Sequence, residues 1–356
     1  MPLLVSGALF APSSSDGGVA PPRLDIGYRV VPSSVDHAPV RADGTRGPTR
    51  SLPPFSQTRV GAGWTWGEAI DLDVAVTRSN MTFSRDAYAV EGLDLTLDRR
   101  FGLDPSGASW RLRLGLSGHR ASEARKTSRT RLGEIELTDV AAKGASDVTI
   151  GVGISRDFGS PDAVSWTLGA RLSGTLVDSG TLSGIATDER GCRFRFDATR
   201  RGGRVDLVEP CGAIESFDQR YPNQQSIDDR FGFSPVRDMS YNQRSAALHL
   251  TARRTLGKAL ATAGIDAAWH ARGRFDRRTR SLGERPVGSG VTAFVGVDVP
   301  LGRRWSVRIG AALHRAPFLA EMPLGYSNLT AHRYDRAANS LSIGLEYRSG
   351  AGRNRS

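Results

Sequence analysis

The feature that most constrains this chain is a period of two that recurs about twelve times. Along Ser289–Phe318, Val291, Ala293, Val295, Val297 and Val299 are apolar and two residues apart. Pro300 to Arg303 reads as a turn, and Trp305, Val307, Ile309, Ala311 and Leu313 carry the same period back. The positions between them hold Gly296, Asp298, Ser306, Arg308, Gly310 and His314. One apolar face at a period of two is the mark of a β-strand, and two such runs around a tight turn make a hairpin. Each run is about ten residues, the length a tilted strand needs to cross a bilayer.

The same alternation occurs at 23–31, 58–66, 70–77, 88–100, 110–117, 147–155, 164–173, 243–255, 263–272 and 341–347. The clearest copy sets Trp110, Leu112, Leu114 and Leu116 against Arg111, Arg113, Gly115 and Ser117. In 88–100 the second half alternates cleanly but the first half is out of phase, which predicts a bulge. Connections alternate in length. They are short at 67–69, 101–109, 159–163, 256–258 and 300–303, and long at 32–57, 118–146, 178–242, 275–289 and 317–338. The short link near 80–87 is the exception. A soluble β-sandwich has no reason to gather its long loops at one end. Trp64, Trp66, Trp110, Trp166 and Trp305 fall close to short turns, where an interfacial aromatic girdle would lie.

Composition excludes two classes. Mean hydropathy is −0.32, and no apolar run approaches the length of a transmembrane helix. The net charge of +11 is almost all arginine, with lysine at Lys126, Lys143 and Lys258 alone. Those arginines alternate with apolar residues and form no aromatic stacking platform, so nucleic acid is not an expected partner.

Together, the runs, the even strand count and the loop asymmetry over 23–348 resemble the outer-membrane β-barrel class of Gram-negative bacteria. The resemblance is architectural. It implies an all-β, antiparallel transmembrane β-barrel of about 12 strands, with short periplasmic turns, long extracellular loops and both termini on the periplasmic side. It also implies an outer-membrane location and contact with outer-membrane lipid. In that class the last strand usually ends on a terminal aromatic residue, whereas Tyr347 here precedes the polar tail 349–356. Residues 1–22 read as a leader or a disordered segment. Leu3 to Ala11 resembles the apolar part of a secretory signal without a basic residue ahead of it, so the start is expected to lie inside a longer signal peptide. With no passenger ahead of the first strand, an autotransporter translocator is the less expected kind of barrel.

The non-lipid face is charged. Arg59, Asp71, Asp73, Asp94, Asp98, Arg111, Arg113, Arg171, Arg272, Asp298 and Arg308 are expected to line the lumen. In strand order the cations gather on one part of the wall and the acids on another, which predicts a transverse field; salt bridges across the lumen are the alternative. Twelve strands fall between side-chain-filled eight-stranded barrels and open channels of 16–18 strands, so the lumen should be narrow or plugged by a loop. The expected function is a narrow or gated channel for small polar solutes. A structural or adhesive surface barrel with a closed, salt-bridged lumen is the first alternative, and an outer-membrane hydrolase the second. His119 and His314 lie near the outer rim, with Ser117, Asp86 and Glu123 close to His119 in sequence. No local motif ties them together, so neither an enzyme nor a metal site or other cofactor is expected.

Two features belong to the outer loops. Within 178–240, Phe194 and Phe196 alternate with Arg193 and Arg195, Gly202-Gly203 can turn, and Val205 and Leu207 return. This predicts a hairpin closed near its base by a Cys192–Cys211 disulfide, worth roughly 3 kcal/mol in the chain-entropy model. Basic runs at 120–131 and 274–285 place Arg125, Arg129, Arg277 and Arg280 on the long-loop side, where they are expected to grip lipopolysaccharide phosphates.

Overall fold

Every one of these alternating runs is a strand of one closed sheet. The computed structural model describes residues 19–36, 50–52, 55–67, 69–83, 86–103, 108–126, 130–132, 135–159, 163–213, 234–281, 283, 285–315, 323–326 and 336–349. In chain order the strands are β1 (Val19–Asp36), β2 (Arg50–Leu52), β3 (Phe55–Trp66), β4 (Ile70–Phe83), β5 (Asp86–Leu103) and β6 (Ser109–Ala121). Then come β7 (Ala124–Lys126), β8 (Thr130–Leu132), β9 (Ile135–Lys143), β10 (Ser146–Gly159), β11 (Ser165–Asp178), β12 (Thr181–Thr187), β13 (Arg193–Thr199) and β14 (Gly202–Leu207). A one-turn helix α1 (Pro235–Asp238) precedes β15 (Ser240–Leu256) and β16 (Ala259–Ala271). Helix α2 (Arg274–Ser281), β17 (Ser289–Pro300), β18 (Trp305–Arg315), a 3-10 turn (Pro323–Gly325) and β19 (Arg336–Arg348) complete the chain.

The barrel runs β1-β3-β4-β5-β6-β10-β11-β15-β16-β17-β18-β19, and β19 pairs back onto β1. That seam is antiparallel, in register from Arg23↔Arg348 to Val30↔Leu341, with one shift before Ser33↔Asn339. Twelve antiparallel strands put the chain ends and the short turns at one end, as the class requires. Outward side chains are apolar and exposed, with Ile150, Leu172 and Leu313 each more than 60 % accessible. An apolar belt on this scale is not sustained in water and marks the lipid face. Trp66, Trp110, Trp166 and Trp305 are exposed at the short-turn end, and Trp305 packs on Tyr347 with ring centroids 4.7 Å apart.

The expected bulge in 88–100 is absent. The β4–β5 ladder runs unbroken from Ile70↔Arg99 to Phe83↔Asp86; the irregularity lies instead between Phe101 and Leu103, opposite β6. The phase inverts for another reason. Val90 is buried inside and Glu91 faces out, because this part of β5 projects past the lipid belt, where the outside is water and the inside is an apolar cap.

At the outer end the connections are structured. Segments from 122–145 and 179–213 form a second sheet in the order β14-β13-β12-β9-β7, with β8 on the flank of β9. β10 and β11 lead into it through Gly144 and Gly180, at φ 69° and 73°. A Cβ on Gly180 would lie 2.0 Å from the Lys143 carbonyl oxygen, so only glycine fits there. Phe194, Phe196 and Ala198 are buried on one face of β13, and Arg193, Arg195 and Asp197 are exposed on the other. The β13–β14 hairpin is closed by the Cys192–Cys211 disulfide, as the alternation predicted.

The run 274–285, expected as a loop, contains α2. Phe275 and Thr279, one turn apart, form its buried stripe. Phe275 packs on Tyr241 at 4.3 Å between centroids, and both join Tyr326, Leu324 and Val287 in one apolar core. Strand ends from around the barrel complete that core, among them Val31, Phe55, Val90, Ala121, Val177 and Ala338. Among the described residues, loop segments and strand ends therefore form an apolar cap at the outer end of the barrel.

Arginine at Leu114 or Val297, on the lipid face, should cost roughly 2–4 kcal/mol at mid-bilayer and impair assembly. The check is loss of the compact, heat-modifiable form on electrophoresis. Normal assembly of both variants would contradict the lipid-facing assignment.

Candidate functional site

The lumen beneath the cap is organised by arginine–carboxylate pairs. Asp98 and Arg113 stand directly opposite on β5 and β6. Their pair is bidentate, Nε to Oδ1 at 2.8 Å and Nη2 to Oδ2 at 2.7 Å, the geometry in which guanidinium and carboxylate match best. Asp298 and Arg308 are directly opposite on β17 and β18, at 3.0 and 3.1 Å from Arg308 Nε. Arg111 reaches Asp157 at 2.9 Å and Arg100 reaches Asp71 at 2.9 Å. Arg59 pairs with Asp25. Arg23 pairs with Asp73 across Gly63 of β3, the residue that faces both in the ladder. Glu346 accepts from Arg348 at 2.7 Å.

Salt bridges, the alternative to an open transverse field, are therefore present along the wall. Asp25, Asp73, Asp71 and Asp98 are answered by Arg59, Arg23, Arg100 and Arg113, so the acidic part of the wall is close to neutral. Periodicity had overlooked Arg23, Arg100 and Arg348 as lumen cations. The signal was present, since each lies two residues from an acid of the same phase: Asp25, Asp98 and Glu346.

Inside the barrel is a cavity of ≈ 230 Å³. Its lumen-facing lining carries seven arginines, Arg29, Arg59, Arg111, Arg113, Arg171, Arg253 and Arg308, against Asp266 and Asp298. Asp25, Asp98 and Asp157 pair with three of those arginines from just outside the lining, and arginine is still in excess. Asp94 lines a smaller adjoining cavity with Arg113 and Arg171. Ten of the eleven residues expected in the lumen therefore face it. Arg272 is the exception. β16 ends at Ala271, and Arg272 is buried in the cap, where it donates to Gln243 Oε1 at 2.9 Å, to Asp276 Oδ1 at 2.9 Å and to the Val287 carbonyl at 3.0 and 3.1 Å. Its guanidinium lies 4.1 Å from the centre of the Tyr326 ring.

The cap is fastened to the wall by polar contacts. Asp147 on β10 accepts from the Leu324 N–H at 3.0 Å and is 2.8 Å from His119 Nδ1. Tyr241 Oη donates to the Pro323 carbonyl at 2.8 Å, and the Val287 N–H donates to Tyr326 Oη at 3.2 Å. Arg278 on α2 meets Asp238 of α1 at 3.2 Å. His119 thus serves the cap through Asp147. His314 lies between Thr292 Oγ1 at 3.0 Å and Ser340 Oγ at 2.8 Å, a buried network that satisfies all three side chains.

Of the arginines expected to meet lipopolysaccharide, Arg125 is held by Asp139 in a bidentate pair at 2.7 and 2.8 Å. Those hydrogen bonds keep the Asp139 carboxyl below its ordinary range. Arg277 and Arg280 are exposed on α2, and Arg129 lies outside the described residues.

A closed twelve-stranded barrel, an apolar belt, an aromatic girdle and loops gathered at one end define an outer-membrane β-barrel protein, and its location is the bacterial outer membrane. No family model matches the sequence, and no curated protein is similar to it. Among solved structures, the chain resembles the translocator domain of the autotransporter NalP from Neisseria meningitidis, with 11% identity, 92% of this chain and 88% of that one covered, and a TM-score of 0.51. It also aligns with the β-domain of the Bordetella autotransporter BrkA (11%, 92% and 98%, TM-score 0.45) and with the Pseudomonas putida toluene transporter TodX (8%, 92% and 90%, TM-score 0.42). At these identities the likeness is one of fold.

Asp98→Ala should strand Arg113 in the wall and cost about 3 kcal/mol, the low end for breaking a buried pair. Glu91→Gln, in the exposed Arg78–Glu91 pair at 3.7 Å, should cost under about 1 kcal/mol. Urea unfolding of the two refolded variants measures the difference; equal losses would refute the bracing role.

Proposed function

We propose that the protein is a narrow, gated channel for small polar solutes in the outer membrane. One observation carries this reading: a charge-lined cavity lies inside the barrel beneath a cap of loop segments that pack on the ends of wall strands. The wall is fixed by continuous ladders, whereas the cap rests on apolar contacts and a few hydrogen bonds. Opening the cap would join the cavity to the exterior and leave the barrel intact. The bracing pairs favour a competing reading, a closed structural or adhesive barrel, and the same experiment separates the two. The proposal contains no catalytic step. It includes contact of Arg277 and Arg280 with lipopolysaccharide phosphates at the outer surface.

Planar-bilayer recording tests the channel. The wild-type protein is expected to give small, discrete conductance steps. Tyr326→Ala should remove roughly 3 kcal/mol from the capped state and raise the open fraction about a hundredfold while that state dominates. Asp147→Ala, which frees Leu324, should act in the same direction. Silence in all three folded proteins would favour the structural barrel. Separately, glutamine at both Arg277 and Arg280 should weaken retention on immobilised lipopolysaccharide severalfold, and unchanged retention would make these arginines ordinary solvated surface.

A further inference from the structure

We infer that the lumen binds a small neutral sugar, or a similar ring-shaped polyol, on Phe294 between Asp266 and Thr262; this rests on the proposed channel for the solute's route but not for its site. Alternation along β17 turns Phe294 inward with Thr292, Gly296 and Asp298. Among the described residues it is the one phenyl ring that the wall turns into the cavity. Gly264 of β16 stands directly opposite it in the ladder. A Cβ on Gly264 would be 2.4 Å from Phe294 Cζ and 2.9 Å from Cε1, so the ring reaches across to β16 and lies over the glycine. Thr262 and Asp266 stand two residues to either side of Gly264 on the same face, each about 7 Å along the strand. Asp266 faces Thr292 across the ladder, which puts Phe294 on its diagonal at roughly 7–8 Å. Thr262, Asp266 and Phe294 all line the cavity. The phenyl ring is thus bracketed by a hydroxyl and a carboxylate, at a spacing that one six-membered ring can span.

Asp266 differs from the bracing acids. Its Oδ2 is buried and makes no hydrogen bond among the described residues. His249 stands directly opposite on β15 but leans the other way: a Cβ on Gly169 of β11 would fall 2.2 Å from His249 Cε1. Arg171 acts on Asp266 through its charge, from β11 with β15 between them. A carboxylate oxygen left without a donor is costly, and a solute hydroxyl would supply one. The surroundings select the solute. A cation would meet Asp266 but also a lining with seven arginines against two acids. An anion would be repelled by the carboxylate beside the ring. An apolar ring would cover Phe294 and leave Asp266 without a donor. A neutral sugar avoids all three conflicts. Its C–H face rests on the electron-rich face of the phenyl ring, and its hydroxyls donate to Asp266 in charge-assisted hydrogen bonds and accept from Thr262. At ≈ 230 Å³ the space is below the roughly 300–1,000 Å³ of drug-sized ligand sites, which restricts the solute to a small molecule.

Saturation-transfer NMR on the detergent-solubilised full chain tests the site, in the wild type and in Tyr326→Ala, whose weakened cap keeps a closed lumen from hiding it. Glucose and galactose are expected to show saturable transfer, strongest at their ring protons, and citrate and spermidine none. Phe294→Leu should weaken sugar binding about tenfold, and Phe294→Tyr should retain it. Asp266→Asn keeps the size and removes the charge, so it should weaken binding severalfold and keeps the test informative if Phe294→Leu folds poorly. No sugar binding in either folded starting protein, or equal binding in all the variants, would overturn the site. Preference for citrate or spermidine over the sugars would overturn its chemistry. In planar bilayers glucose should lower the wild-type conductance and leave that of Phe294→Leu nearly unchanged. Sugar binding with a silent bilayer would retain the site and remove the channel. Conductance without sugar binding would remove the site and leave the channel reading standing.

Discussion

The structure depends on the antiparallel seam between β1 and β19. In hydrocarbon each unpaired backbone N–H or C=O costs several kcal/mol, so a sheet in a membrane must close on itself. The pairing from Arg23↔Arg348 to Val30↔Leu341 meets that requirement with the first and last strands of the chain. Closure then fixes much else. An even number of antiparallel strands brings both ends of the chain to one side, so the long connections emerge at the other. Whatever can be built from loops, including the second sheet and the cap, is built there.

Closure also creates an interior that twelve strands cannot fill with aliphatic side chains. The chain fills it with arginine–carboxylate pairs, and glycine sets how far each pair can reach. Asp98–Arg113 and Asp298–Arg308 join directly opposite residues. Arg23–Asp73 spans two ladders because Gly63 lies between them, and a Cβ there would be 2.7 Å from Asp73 Oδ1 and 2.8 Å from Arg23 Nη2. Gly153 instead stands in register between Arg113 and Arg171, and Gly169 between Ser155 and His249. The same structural element thus serves bracing on one part of the wall and leaves a positive recess on another. This is why a lumen whose inward charges nearly balance in sequence can still hold a local excess of one sign.

The barrel was legible in the sequence because a period of two survives wherever lipid lies outside and a polar lumen lies inside. It failed where that boundary condition changes. Val90 and Glu91 reverse phase above the lipid, and the reversal resembles a bulge only if the membrane is assumed to continue. Arg272 keeps the phase of β16 but lies past its end, so periodicity placed it in the lumen when it belongs to the cap. Helix α2 was hidden because eight residues with one large apolar side chain, Phe275, do not show a helical period. Pair partners were out of reach for a different reason. A period of two tells which face a residue occupies, but the register between strands decides whom it meets. The Cys192–Cys211 hairpin could be read because its turn, its alternation and its cysteines are all local.

The contrast between wall and cap sets what this molecule can change. Each wall strand is held by ladders on both sides, and opening any of them would expose backbone to lipid. The cap has no such penalty, since its surroundings are water above and a polar cavity below. Its hold on the barrel is an apolar core around Tyr241, Phe275 and Tyr326 with the hydrogen bonds of Asp147, Tyr241 and Arg272. Local opening draws on the least stable cooperative unit of a protein, and in the proposed channel that unit would be the cap.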